Sequence, residues 1–493
     1  MKQRLNRLIK LTIVLSILML QFSCADTSEP ENSSKNETET QNDISDASDN
    51  ESETKPQEVS DLPDEFYLEG YEFRIIKQAQ DKIAWSLNLF GINESNGEVL
   101  NDAFYKRNQS LFEKYNFSIT EFETQTNPVS TIRSSVLAGD DEYDAALVTF
   151  SSERNANDGT YYNLYDLPYL ELDKSWWNQS MIEGLTINGK LYFISGDIIV
   201  SDDDGLMITV FSKALCEDYG FENLYDTVRA GDWTFDKKLE LMKQVSADLN
   251  NDGIYDTEDR LGMLYADNAA AAPYFASADA MLFEYDNGIL EFTAESERAV
   301  RTYEMVSRIL SDKSIAYDWA NIKENSSEKI IEMLDGKRVL FLDIGLHFMR
   351  RNLRDLNINF GVLPMPKLDE NQAEYYNMMN ESMTHIVVPA SIMNPDKVGF
   401  ILEALASNSG DITETYYKSC IESKYARDIE SIEMLDIASE NIVFDLGFIY
   451  NWGNLALDIR TEIVKGSPYA SLIAKHKNAA IEEADEYIAQ SKT

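Results

Sequence analysis

Apolar residues along this chain switch repeatedly between two periods. Tyr71 to Lys77 (YEFRIIK) is aromatic and β-branched, which predicts a first strand. Leu100, Phe104, Leu111 and Tyr115 then recur at spacings of four, seven and four, which puts them on one face of a helix. Phe117, Ile119 and Phe122 mark a second strand. After the break at Ala138-Gly139-Asp140-Asp141, Tyr143 to Thr149 (YDAALVT) reads as a third. Strands alternating with helices imply an α/β architecture built on a mostly parallel sheet. Ligands of such sheets bind beyond the carboxyl ends of the strands, which directs attention to the loops after Lys77 and Thr149.

The middle of the chain has another texture. Asn188-Gly189 followed by KLYFISGDIIV reads as a turn and then an extended crossing segment. A second α/β region runs from about Gly205 to Tyr375 and contains a buried strand at Val339 to Ile344 (VLFLDI). Met383 to Pro389 (MTHIVVP) looks like a second crossing, and the last hundred or so residues are helical in pattern and rich in aromatics. No internal repeat is evident.

The N-terminus is patterned differently again. Lys2, Arg4, Arg7 and Lys10 precede an apolar run from Leu11 to Leu20, too short for a bilayer-spanning helix and laid out as an export signal over 1–23. Ala25 to Glu65 contains no aromatic residue, and its fourteen carboxylates face only Lys35 and Lys55. Such a segment buries too little apolar surface to offset its ordering entropy, so 24–65 is expected to be a disordered acidic tether.

Composition narrows the function. The 493-residue chain carries a formal charge of −43, which argues against nucleic acid and anionic lipid as partners. Three histidines (His347, His385 and His476) are scattered without metal-ligand spacing, and no nucleophile elbow, HExxH or phosphate-cradling glycine loop occurs. No enzyme chemistry is therefore indicated, although 86 acidic residues offer many carboxylate pairs. Beyond Cys24, only Cys216 and Cys420 remain; a disulfide between them is possible but does not follow from the sequence.

The ordered succession NLYDLPYLELDKSWWNQ (163–179), NGKLYFISGD (188–197), VFSKALCEDYGF (210–221), GDWTFDK (231–237), DLNNDGIYDTEDRLGM (248–263) and FGVLPMPKLDENQAEYY (360–376), followed by the Tyr416 to Trp452 region, resembles bacterial extracellular solute-binding proteins of the carbohydrate-import type. Ser23-Cys24 likewise resembles a lipobox, with Gln21 where that pattern usually has Leu, and implies lipidation of Cys24. The resemblance implies a two-lobed, periplasmic-binding-protein-like α/β fold with hinge crossings. Lobe one would span 66–197, lobe two 198–383, a return to lobe one 384–412, and C-terminal helices packed across both lobes 413–493. It also implies a monomeric receptor, lipid-anchored on the outer face of the cell membrane, that delivers a sugar to the permease subunits of an ABC importer. A surface-anchored carbohydrate-active enzyme and a sensory receptor for a membrane kinase are the alternatives.

Two sets of residues could carry that chemistry. Asp248, Asn250, Asp252, Ile254 (through its carbonyl), Asp256 and Asp259 follow the spacing of a Ca²⁺ loop, with Gly253 at the turn, and suggest a structural Ca²⁺. For the ligand, sugar faces stack on aromatics while hydroxyls bond to carboxylates and amides. Trp452, Trp177 and Trp85 are the aromatic candidates. Gln80, Asp81, Ser151, Asp203 and Glu381 are the polar ones, chosen at strand ends and lobe crossings.

Overall fold

The computed structural model describes residues 58–153, 155–266, 271–323, 326–353, 356–418 and 429–492. The export signal, Cys24, most of the acidic tether, Arg154 and Cys420 lie outside the described residues; Cys216 is a buried free thiol.

The first sheet is built from β1 (Tyr71–Gln78), β2 (Phe117–Thr124), β3 (Ala145–Thr149) and a strand contributed from far along the chain, Thr384–Val387. β1 pairs in parallel with β2 from Tyr71↔Phe117 and with β3 at Ile75↔Ala145. Parallel neighbours need a crossover, and the helices Val99–Tyr115 and Val129–Ala138 supply the two. The first buries Leu100, Phe104, Leu111 and Tyr115, the four residues whose spacing predicts it, and ends on Asn116 with φ 53°. It also buries Arg107 and Asn108. Their donors reach the Phe90, Ile92 and Ile198 carbonyls, so the helix ties the first lobe to the segment leaving it.

The second sheet follows the chain through β4 (Met207–Ser212), β5 (Leu261–Tyr265), the short ribbon β6 (Phe283–Asp286) and β7 (Ile289–Phe292), then β8 (Ala316–Asp318), β9 (Val339–Gly345) and β10 (Phe360–Leu363). The ribbon pairs with itself, and the sheet order is β10-β4-β9-β5-β8. β5 is parallel to β8 and β9, whereas β4 runs antiparallel to β9 and β10. All seven residues of β9 are buried, as the mostly apolar run of a doubly covered strand should be, and Asp343 is its one charged member.

Two segments pass between the sheets. The KLYFISGDIIV stretch makes isolated bridges at Ile187↔Lys190 and Ile194↔Ile386 and then enters the short helix Ser201–Asp204 before β4. Its expected extended character is thus realised with few ladder bonds. The return passes Leu206↔Met379 and becomes β11 (Thr384–Val387), which closes the first sheet antiparallel to β3 at Thr384↔Thr149. The remaining chain is helical: Pro395–Ser407, Gly410–Thr415, Ile429–Glu440, Leu446–Tyr450, Leu455–Ile463 and Tyr469–Ser491.

Candidate functional site

Where the returning segment leaves the second lobe, two narrow cavities open side by side and share Ala272, Met378 and Glu381 among their walls. Each has room for about one water. Their walls come from every part of the fold. Phe150 stands just past β3, Ala272 and Ala276 lie on the helix Ala272–Ser277 beyond β5, Phe444 lies in the connection before the helix Leu446–Tyr450, and Phe448 and Arg460 lie on C-terminal helices. The position is the one the sheet rule designates, outside the carboxyl ends of β3 and β5.

The charged centre of this site is the pair Glu381–Arg460. Both terminal nitrogens of the guanidinium donate to the two carboxylate oxygens, and the side chains are only 17% and 14% exposed. The guanidinium also lies over the Phe448 ring, 5.7 Å from its centroid. Its Nε is buried without a hydrogen-bond partner. A second carboxylate on the walls, Asp445, accepts from the Leu282 and Gly447 amides at 2.7 and 2.8 Å, and burial pushes its pKa up to about 7. Behind Phe150, the His385 ring stacks at 3.9 Å with both nitrogens unpartnered, and burial pushes its pKa down to about 3.

Three of the residues chosen from the sequence converge here. Glu381 is the centre itself; the Ser151 amide donates to the Glu381 carbonyl at 3.2 Å; and Trp85, 40% exposed, directs its indole N–H to the Ser382 carbonyl at 3.4 Å. The others stand elsewhere. Trp452 is buried against Phe283, Tyr450 and Tyr487 and lines neither cavity, because the kink at Gly453 turns it into the C-terminal helix packing. Trp177 is a core residue whose indole donates to Glu403 at 2.9 Å. Gln80 braces its own loop through the Ile83 and Ser86 carbonyls, and Asp81 pairs with Lys82 at the surface. Asp203 accepts from the Tyr417 hydroxyl at 2.8 Å within the crossing helix. There burial and the neighbouring Asp202 charge push its pKa well up.

Asp248 to Asp259 form a loop whose aspartates bond largely to its own backbone, with Lys329 donating to Glu258 and Arg338 to the Thr257 carbonyl from outside it. Asp248 accepts from the Asn251 and Gly253 amides, Asn250 from Asp252, Asp252 from Ile254, and Asp256 from Glu258. Asp259, fully buried, accepts from Leu249 and Asp256. With the side-chain oxygens folded back on backbone amides, no group of three or more His, Cys, Asp or Glu is arranged to hold a metal ion among the described residues.

Arg460 is the residue of the candidate site that pattern reading overlooks. It has a signal: Ala456, Ile459 and Ile463 are buried on its helix, and a charge at i+4 from Ala456 sits on that apolar stripe and needs a partner.

No protein-family model matches the chain, and no curated protein matches it in sequence. Solved structures do match. A cyclo/maltodextrin-binding protein complexed with maltotetraose aligns with a TM-score of 0.54 at 15% identity, over 85% of this chain and 97% of that one. The ABC transporter-associated binding protein of B. animalis subsp. lactis, in complex with β-1,6-galactobiose, gives 0.54 at 14% identity, over 85% and 98%. An ABC substrate-binding protein from Listeria monocytogenes in complex with cycloalternan gives 0.52 at 14% identity, over 84% and 99%. At such identities the likeness shows the fold, the two-lobed α/β architecture of these binding proteins.

Proposed function

We propose that this chain is an extracytoplasmic receptor that captures a saccharide between its two lobes and hands it to an ABC importer. The observation that carries the reading is the cavity pair around Glu381–Arg460, whose walls are drawn from the turn after β3, the start of β4, the helix beyond β5, the returning segment and the C-terminal region. A ligand touching both lobes favours the closed state by its differential affinity, and a permease can then recognise the closed surface. The structures it resembles were solved with maltotetraose, β-1,6-galactobiose and cycloalternan, which supports a sugar as cargo. Phe150, Phe444 and Phe448 provide faces for sugar C–H groups, and Glu381 and Arg460 provide partners for hydroxyls. Both carboxylates on the walls are engaged, one with Arg460 and one with backbone amides, which favours binding over turnover. The export signal and Cys24 support a lipid-anchored receptor outside the cytoplasm.

Thermal-shift measurements on the mature protein with a panel of oligosaccharides test this. A ligand at 100 times its dissociation constant adds about 2.7 kcal/mol, so one sugar class should raise the melting temperature and be recovered intact. Cleavage of the sugar would replace the receptor with an enzyme, and a folded protein that no sugar stabilises would direct the reading to another solute.

A further inference from the structure

Whatever solute the cleft takes, we infer that the crossing between the lobes is a proton-sensitive hinge: Asp202 and Asp203, on the short helix Ser201–Asp204, share one proton while that helix is buried and release it to water when the crossing opens.

Each residue of this helix is bonded to a different part of the chain. The Ser201 hydroxyl donates to the Thr384 carbonyl of the returning strand at 2.5 Å. Asp202 accepts from the Ser195 hydroxyl at 2.9 Å and the Asn178 side-chain amide at 3.2 Å, both on the lobe-one side. Asp203 accepts at 2.8 Å from the hydroxyl of Tyr417, just past the helix Gly410–Thr415. Asp204 takes Nε and Nη2 of Arg350 at 2.8 and 2.7 Å, from the turn Met349–Leu353 beyond β9, and the Tyr416 hydroxyl at 2.9 Å. Just upstream, Asp197 accepts from the Thr413 hydroxyl at 2.9 Å. A change in the angle between the lobes has to disturb some of these bonds.

Charge does not balance here. Among the described residues, Arg350 is the one cation bonded to any of Asp197, Asp202, Asp203 and Asp204, and Asp204 takes it. Asp202 is 5% exposed, and its Oδ1 has no hydrogen-bond partner. The other titratable neighbours do not supply the missing charge. Burial lowers the pKa of His347, which faces Asp204, Arg350 and Arg351, and His385 on the returning strand is held neutral behind Phe150. Burial also keeps the Tyr416 and Tyr417 hydroxyls protonated; Lys418 pairs with Glu414, and Asp436 adds a negative charge beside Tyr417. Two adjacent buried carboxyls without a cation do not both ionise readily, and the proton they keep belongs to the pair. Burial raises both carboxyls, and the Asp202 charge raises Asp203 further. Water entering the crossing removes that burial, so the proton is held more tightly in the buried form than in the opened one. Raising the pH through neutrality therefore favours the opened crossing, and acid favours the buried one.

Hydrogen–deuterium exchange on the full mature protein tests this at the amides of Asp204 and Gly205, which donate to the Val200 and Ser201 carbonyls. Corrected for the chemical exchange rate, their protection should fall by about tenfold or more between about pH 5 and about pH 8, since one unit of differential proton affinity is a factor of ten. Asp202→Asn combined with Asp203→Asn keeps the side-chain shapes, removes the titrating pair and should level the protection across that range. Tyr417→Phe removes a donor to the ionised form of Asp203 and should move the midpoint of the change up by about one pH unit. This conservative variant carries the test where the double variant does not fold. Wild-type protection that is independent of pH, a double variant that keeps the wild-type dependence, or an unmoved midpoint in Tyr417→Phe overturns the hinge. Parallel loss of protection throughout β1 assigns the effect to global unfolding and overturns it as well. No ligand enters the measurement, so its failure leaves the receptor reading standing.

Discussion

Buried ionisable side chains behave here according to whether each has a full set of partners. Glu403 accepts from the Trp177 indole at 2.9 Å and the Glu171 amide at 3.0 Å, but its other oxygen is unpartnered, and burial pushes its pKa up to about 7. A carboxyl raised in the folded state contributes stability that is complete below the unfolded value and lost as pH rises through the folded one. Glu403→Gln should therefore resemble wild type near pH 4 and exceed it at pH 8, by as much as about 3 kcal/mol, read from denaturant midpoints across pH. A variant that follows the wild-type pH curve would refute the assignment. Lys238 presents the opposite case. Its ammonium, fully buried, donates to both oxygens of Asp343 at 2.5 and 2.7 Å and reaches the Tyr274 and Thr209 hydroxyls. Lys238→Met should cost about 3–5 kcal/mol by stranding Asp343, and adding Asp343→Leu should restore most of it. Equal losses in the single and double variants would contradict a paired-charge origin.

Elements were legible in the sequence wherever the apolar pattern is either one-sided or a sustained run. The spacing Leu100–Phe104–Leu111–Tyr115 gives the first crossover helix, and the apolar run Val339–Leu342 gives the buried central strand of the second sheet. The crossing at KLYFISGDIIV was less legible, since a β-rich composition describes only a propensity and the stretch has partners at isolated points. Gly196 within it shows why the chain is constrained there. Its φ is 147°, and an added Cβ would lie 2.2 Å from the Trp176 carbonyl oxygen. Gly196→Ala should lower stability by about 2 kcal/mol or more in urea unfolding, whereas a neutral result would mean the Trp176–Gly196 contact is dispensable. The site itself was half legible. Glu381 and Ser151 sit at strand ends, where a positional rule finds them. Trp452 and Trp177 are aromatic for the packing of their surroundings, and residue type alone does not separate a stacking platform from a core residue. Arg460 comes from a helix some 80 residues beyond its partner, a pairing that only the folded chain reveals.

Across the whole molecule, two α/β lobes are joined by paired crossings. The strand Thr384–Val387 returns to the first sheet after the entire second sheet has been built, so the lobes are linked by chain passing in both directions. That topology lets a ligand between the lobes couple their relative positions without unfolding either. The proposed lipid anchor at Cys24 has its own test. Cys24→Ala should accordingly shift the exported protein from the membrane fraction to the soluble extracytoplasmic fraction; unchanged membrane association would remove the lipid anchor from the account. The central claim, a receptor that binds sugar without transforming it, is tested most directly by calorimetric titration of the mature protein with a neutral oligosaccharide, followed by analysis of the sugar. The account predicts saturable one-to-one binding and complete recovery of intact ligand, and a shortened sugar or the absence of any heat of binding across the panel would contradict it.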